Sequence, residues 1–121
     1  MSTIAALALA LFLAATAVAH FAFPAYFRSL VPTWLPHPAI FVTGSALAEL
    51  ATAVLLCSPG TRTAGGWAAT ALLTTFQASH VDAACHTRTR SGLLNSPWGV
   101  IARLLVNAAY IAWAAAVALT A

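Results

Sequence analysis

Four apolar stretches, each long enough to cross a hydrocarbon core as a helix, dominate this 121-residue chain and leave few folds open to it. A crossing takes about 20 residues, somewhat fewer where the bilayer thins. The stretches cover about residues 3–23, 40–57, 66–84 and 100–121, with short connections between them. The chain is 62% hydrophobic and 6% charged, against about 45–50% apolar and about 25% charged in soluble domains. So few charges do not cover a water-soluble surface. The expected fold is all-α: one domain over residues 1–121, an integral membrane four-helix bundle whose first partner is the lipid bilayer.

The ionised side chains are five Arg, one Glu and one Asp, for a net charge of +3. That is far from the dense basic patch that nucleic-acid binding needs. Cys57 and Cys85 form no disulfide framework and read as two small buried hydrophobes.

The first connection holds four prolines between Pro24 and Pro38. Within it Phe27, Leu30 and Trp34 recur at helical spacing, which predicts a short helix over residues 25–34 lying flat at the interface. Ser58-Pro59-Gly60-Thr61-Arg62 reads as a tight turn. The third connection, from His86 to Pro97, is the most polar and carries Arg88 and Arg90. Trp34, Trp67 and Trp98 fall near segment ends, where indole rings favour the headgroup zone. With Arg28, Arg88 and Arg90 on one face and only Arg62 on the other, the charge bias places both termini outside. Ala17-Val18-Ala19 resembles a signal-peptide cleavage site. No Lys or Arg precedes that apolar run and three more spans follow, which favours a membrane helix.

Ionisable side chains inside a span cost about 2.5–3.5 kcal/mol each on lenient scales and generally face a bundle interior or a cavity. Glu49 is nine residues into the second stretch, roughly 14 Å deep at the helical rise. Arg103 and Asn107 share a face of the fourth stretch, one turn apart, and are the expected partners of Glu49. Gln77 and His80 share a face of the third, and His20 closes the first. All six fall in the half of the membrane next to the first and third connections. This asymmetry predicts a polar pocket formed by His20, Glu49, Gln77, His80, Arg103 and Asn107. The alternative is that the same groups fix helix pairing and register and bind nothing.

His80, Asp82, Cys85 and His86 supply metal-ligand chemistry without a strong metal signature, and His80 and Asp82 diverge around a helix. A metal is therefore not expected. No phosphate-binding loop, nucleophile elbow or zinc-protease motif is present. Gly44-Ser45 and Gly65-Gly66 read as points of close helix packing.

Several pieces, in order, resemble the DoxX-like family of small four-helix bacterial membrane proteins across nearly the whole chain. They are His20-Phe21-Ala22-Phe23-Pro24, the run from Val31 to Pro38, Gly44-Ser45-Ala46-Leu47-Ala48-Glu49, Pro59-Gly60-Thr61-Arg62 and Arg103-Leu104-Leu105-Val106-Asn107. Two departures stand out. Phe76-Gln77-Ala78-Ser79-His80 replaces the family's F-P-A-N or F-P-G-N stretch, and Leu105 and Asn107 replace the Pro and Gln of R-L-P-L-Q. The resemblance implies the bacterial cytoplasmic membrane and association with membrane redox systems, such as a thiosulfate:quinone oxidoreductase.

The resulting expectation is an accessory subunit of a membrane redox assembly that binds a quinone-like or lipid headgroup. Arg103 and Asn107 would donate to a carbonyl oxygen, while Glu49 and His80 handle a proton. The chain supplies no redox centre of its own, so electrons would come from a partner protein or a bound cofactor. A purely structural membrane protein and a stand-alone enzyme using Glu49 and His80 remain open, as does self-association.

Overall fold

Proline opens three of the helices in this chain. Pro24, Pro38 and Pro97 each stand in a first turn, where the missing N–H costs nothing and the fixed φ suits the helix. In a computed structural model that describes residues 3–86 and 96–121, the helices are α1 (Thr3–Ala22), α2 (Pro24–Leu30), α3 (Pro38–Cys57), α4 (Arg62–His86) and α5 (Pro97–Thr120), with no strand among the described residues. Ser96 caps α5 by accepting the Gly99 N–H at 3.1 Å. Arg88 and Arg90, which carried most of the orientation argument, lie outside the described residues.

Three helices, α1, α3 and α5, are long and apolar enough to cross a membrane. The stretch expected as the third crossing, residues 66–84, lies inside α4. At 25 residues α4 is long enough, yet it is not one of the three, because Thr70, Thr74, Thr75, Gln77, Ser79 and His80 interrupt its apolar surface. Large apolar side chains point outward around the molecule: Ile4 is 78% exposed, Leu11 73% and Val54 70%. An apolar exterior of this kind suits lipid and is a liability in water.

The strongest helix pairings are α4 with α5 and α1 with α3, and α3 with α4 joins the two pairs. Leu9, Leu13, Leu56, Leu73 and Val117 fill the shared core. Where α1 meets α5 the gap is bridged by rings: Phe12 lies 4.3 Å from Tyr110 and 6.3 Å from Trp113, centroid to centroid. A Cβ on Gly66 would stand 2.7 Å from the Ala118 backbone, and one on Gly65 would stand 2.9 Å from the Leu56 nitrogen. These two glycines are the close-packing points the sequence suggested. Gly44 is not, since a Cβ there meets nothing within 4 Å.

The turn after α3 closes that helix with side chains. Thr61 Oγ1 donates to the Leu55 carbonyl at 2.7 Å, Arg62 Nε donates to the Leu56 carbonyl at 3.1 Å, and Arg62 Nη1 reaches Thr3 Oγ1 at 3.4 Å. Terminal carbonyls without helical partners are thereby satisfied. Cys57 and Cys85 are both free and exposed, so the expectation of buried cysteines is corrected. Each sits at the end of a helix, beyond the reach of the core.

The helix expected to lie at the interface, α2, is shorter than its spacing suggested. It stops at Leu30, and Val31 turns extended, so Trp34 lies beyond it in a non-helical strap over residues 31–37. The strap ends at His37, the one non-glycine with a left-handed backbone among the described residues (φ 54°, ψ 62°). That conformation is costly for an L residue, and it delivers the chain directly into Pro38 and α3.

Candidate functional site

The polar residues of the core stand on α1, α3, α4 and α5, around one cavity of about 450 Å3. This falls within the usual range of ligand pockets, about 300–1,000 Å3. Phe12, Phe41, Phe76 and Tyr110 contribute aromatic walls, while Phe27 and Leu30 of α2 and Pro32, Trp34 and Leu35 of the strap close over it. The segment between the first two long helices thus folds back as a cover.

Glu49 is 2% exposed and lines the cavity. Its sequence-expected partner was Arg103, and the structure corrects this: the neighbours come from α1. Thr16 Oγ1 donates to Glu49 Oε1 at 2.9 Å while also lying 2.9 Å from the Leu13 carbonyl. His20 Nδ1 sits 3.4 Å from Oε2. The same nitrogen is only 2.6 Å from the Thr16 carbonyl, so its hydrogen goes there and Oε2 is left without a hydrogen bond among the described residues. The His20 ring is held by stacking on Phe27 at 3.9 Å with the planes 20° apart. A helical period explains the arrangement, because Thr16 and His20 are one turn apart on α1 and face the same turn of α3.

A second polar network ties α4 to α5. Asn107 Nδ2 donates to the Leu73 carbonyl at 2.9 Å and to Gln77 Oε1 at 2.8 Å, and Gln77 Nε2 donates to the Leu104 carbonyl at 3.4 Å. Because both carbonyls only accept, this chain fixes the orientation of both amides. The consequence contradicts the role expected for Asn107. Its two N–H groups are committed to protein, and the group it retains for a ligand is the Oδ1 acceptor.

Of the six residues expected to share a pocket, His20, Glu49, His80 and Asn107 line the cavity, whereas Gln77 and Arg103 do not. Gln77 braces Asn107 from behind. Arg103 is half-buried, and its Nε, Nη1 and Nη2 find no hydrogen-bond partner among the described residues. His80 presents a buried Nδ1 that is likewise without one.

No three His, Cys, Asp or Glu residues stand together as a metal group among the described residues. Cys85 is exposed, Asp82 is not part of the cavity lining, and the His86 side chain lies outside the described residues. Thr16, Ser45, Ser79 and Tyr110 escaped the sequence reading. Thr16 alone had a usable signal, its one-turn spacing from His20; hydroxyls and rings on apolar helices otherwise look the same whether they face lipid or a cavity.

Fold and site together define an all-helical protein with membrane-compatible helices and an aromatic cavity that ends on a buried acid. Residues 9–118 match a family described only as a domain of unknown function, DUF8561, and the chain belongs to that family. No curated protein and no solved structure matches it.

Proposed function

We propose that the chain is a multi-pass protein of the bacterial cytoplasmic membrane, with α1, α3, α4 and α5 as a four-helix bundle, that serves a membrane redox assembly by holding a quinone-like molecule. The polar head would sit against Glu49 and the tail would leave between aromatic walls toward lipid. The observation that carries this reading is the cavity itself: apolar over most of its wall, and ending on a Glu49 carboxyl oxygen, Oε2, that no group among the described residues satisfies. A buried acceptor left unpaired costs about 1–3 kcal/mol or more, and a ligand that fills the cavity removes the penalty.

The composition of α4 is compatible with a fourth crossing. Thr70, Thr74 and Thr75 each donate to the carbonyl one turn back, at 2.8, 2.7 and 2.9 Å, so their polarity is satisfied within the helix, as a bilayer demands. Gln77 is spent on Asn107 and Leu104, and Ser79 and His80 face the cavity. The resemblance to DoxX-like proteins supplies the redox context, and partner chains would supply the electrons.

The test is to purify the chain from native membranes in mild detergent and identify extracted small molecules and co-isolated chains by mass spectrometry. An isoprenoid quinone near one per chain is expected, along with a redox partner. Ser45→Phe, which fills the cavity one turn from Glu49, should lose the molecule while keeping helix content. Purified protein carrying only bulk bilayer lipids, or equal quinone retention in Ser45→Phe, would overturn the reading and leave a structural membrane protein.

A further inference from the structure

His20 belongs to two walls at once. On one side it lines the main cavity with Glu49, and on the other it lines a notch of about 90 Å3 with Phe21, Pro24, Arg28, Val42 and Thr43. Water needs about 10–15 Å3, so the notch admits several molecules. It lies where α1 ends at Ala22 and α2 begins at Pro24, and two of its polar residues, Arg28 and Thr43, are exposed. An Arg at the end of a span keeps its charge in water, which makes the notch a wet edge of an apolar molecule. The imidazole is the partition between that edge and the buried Glu49.

The ring is set for passage. Nδ1 lies 2.6 Å from the Thr16 carbonyl and 3.4 Å from Glu49 Oε2. A carbonyl only accepts, so Nδ1 carries the hydrogen and, in the neutral ring, Nε2 keeps the lone pair. Phe27 of α2 stacks on the ring at 3.9 Å, and Phe76 of α4 stands 6.3 Å away. The polar groups around it among the described residues are Thr16 on α1, Arg28 on α2, and Thr43 and Glu49 on α3. Arg28 holds its protons, so His20 and Glu49 are the pair that can exchange one.

We propose that His20 relays protons between the aqueous edge at Arg28 and the Glu49 carboxyl. Inward, a proton from water in the notch bonds to Nε2, the Nδ1–H bond breaks, and that hydrogen moves from the Thr16 carbonyl to a charged Glu49 at Oε2. The ring is left neutral with its hydrogen on Nε2. Outward, a neutral Glu49 gives its hydrogen to Nδ1 and Nε2 releases its own to water. Each passage moves one proton, and the return passage restores the starting tautomer. Because the two directions start from the two charge states of Glu49, the relay does not depend on which one predominates. It rests on the membrane and cavity reading above but not on the identity of the molecule held, and it gives that reading a proton supply. An occupant that fills the main cavity closes it to water and leaves the notch open.

For the test, the full chain in lipid nanodiscs is moved into deuterated, mildly acidic buffer, and exchange of the Glu49 carboxyl is followed through its infrared C=O band. Loss of the band in Glu49→Gln assigns it and separates it from Asp82, the other side-chain carboxyl. His20→Phe keeps a ring to stack on Phe27 and removes both nitrogens. Thr43→Phe fills the notch and leaves His20 and Glu49 in place. A positioned proton-transfer group contributes about 10²–10⁴-fold, so each variant should slow exchange by about a hundredfold or more while backbone amide exchange keeps its native course.

Exchange at the native rate or faster in His20→Phe overturns the relay and reduces His20 to packing, since a loosened fold speeds exchange. Slow exchange in His20→Phe with native exchange in Thr43→Phe overturns it as well, because the proton then enters through the main cavity. If His20→Phe fails to fold, Thr43→Phe decides alone: slowed exchange upholds the route and native exchange removes it. Quinone retention by the native protein decides the cavity reading separately, whichever way the relay falls.

Discussion

A buried amide that spends both hydrogens on neighbouring helices acts as a clamp, and Asn107 does so between α5 and α4. Asn107→Leu keeps the volume but strips the Leu73 carbonyl and Gln77 Oε1 of their donor, which should cost about 1–3 kcal/mol, read as a lower unfolding midpoint in detergent. Pairing it with Gln77→Leu should cost less than the two single changes added, because the second substitution removes an acceptor that the first left unsatisfied. Additive losses would show that the two side chains act independently. The two neighbours of Glu49 differ from this clamp. Thr16 and His20 orient the carboxylate from α1 and leave one oxygen open, an economical arrangement only where something else completes it. Sequence reading reached His20, Glu49, His80 and Asn107 because polar residues are conspicuous in apolar helices. It assigned Glu49 the wrong partner because opposite charge suggests Arg103, whereas the deciding factor is which helix stands beside α3.

The elements pack to different tolerances on their different faces. Gly66 lies under the Ala118 backbone and Gly44 faces open space, so the same substitution should act oppositely at the two positions. Gly66→Ala forces α4 away from α5 and should destabilise by about 1–3 kcal/mol. Gly44→Ala meets no atom and gains helix propensity, so it should be neutral or stabilising by up to about 1 kcal/mol. Thermal unfolding of the two variants side by side is the check, and similar losses at both would refute this packing. The cover over the cavity is built differently again: seven residues of α2 followed by an irregular strap. Pattern reading extended that helix to Trp34 because an aromatic at the right interval fits a helix, and the extended backbone at Val31 ends it at Leu30, four residues earlier.

At the scale of the whole molecule the outward-facing apolar side chains on α1, α3 and α5 predict that alkaline carbonate leaves the chain in the membrane pellet, and its release into the supernatant would argue for peripheral attachment. Filling the cavity should also be visible globally. A ligand that binds only the folded state adds about 2.7 kcal/mol at a concentration a hundred times its Kd. Stripping bound amphiphiles with excess detergent should therefore lower the melting midpoint, and re-adding a quinone-like ligand should restore it.

Some of this architecture follows from local chemistry alone. The apolar runs over about 3–23, 40–57 and 100–121, the prolines that open three helices and the turn at Ser58–Arg62 are dictated by segment composition, so the all-helical class and the long helices were legible in the sequence, to within a few residues at their ends. So was the clustering of polar residues at similar depth, since depth is only a count along a helix of constant rise. Rotation about the helix axes and the choice of neighbours depend on how side chains from separate segments fit together. Only the tertiary structure placed Thr16 and His20 beside Glu49, turned Gln77 and Arg103 out of the lining, and folded Phe27 and Trp34 over the cavity. A period fixes which residues share a face, and packing against the other helices decides what that face meets.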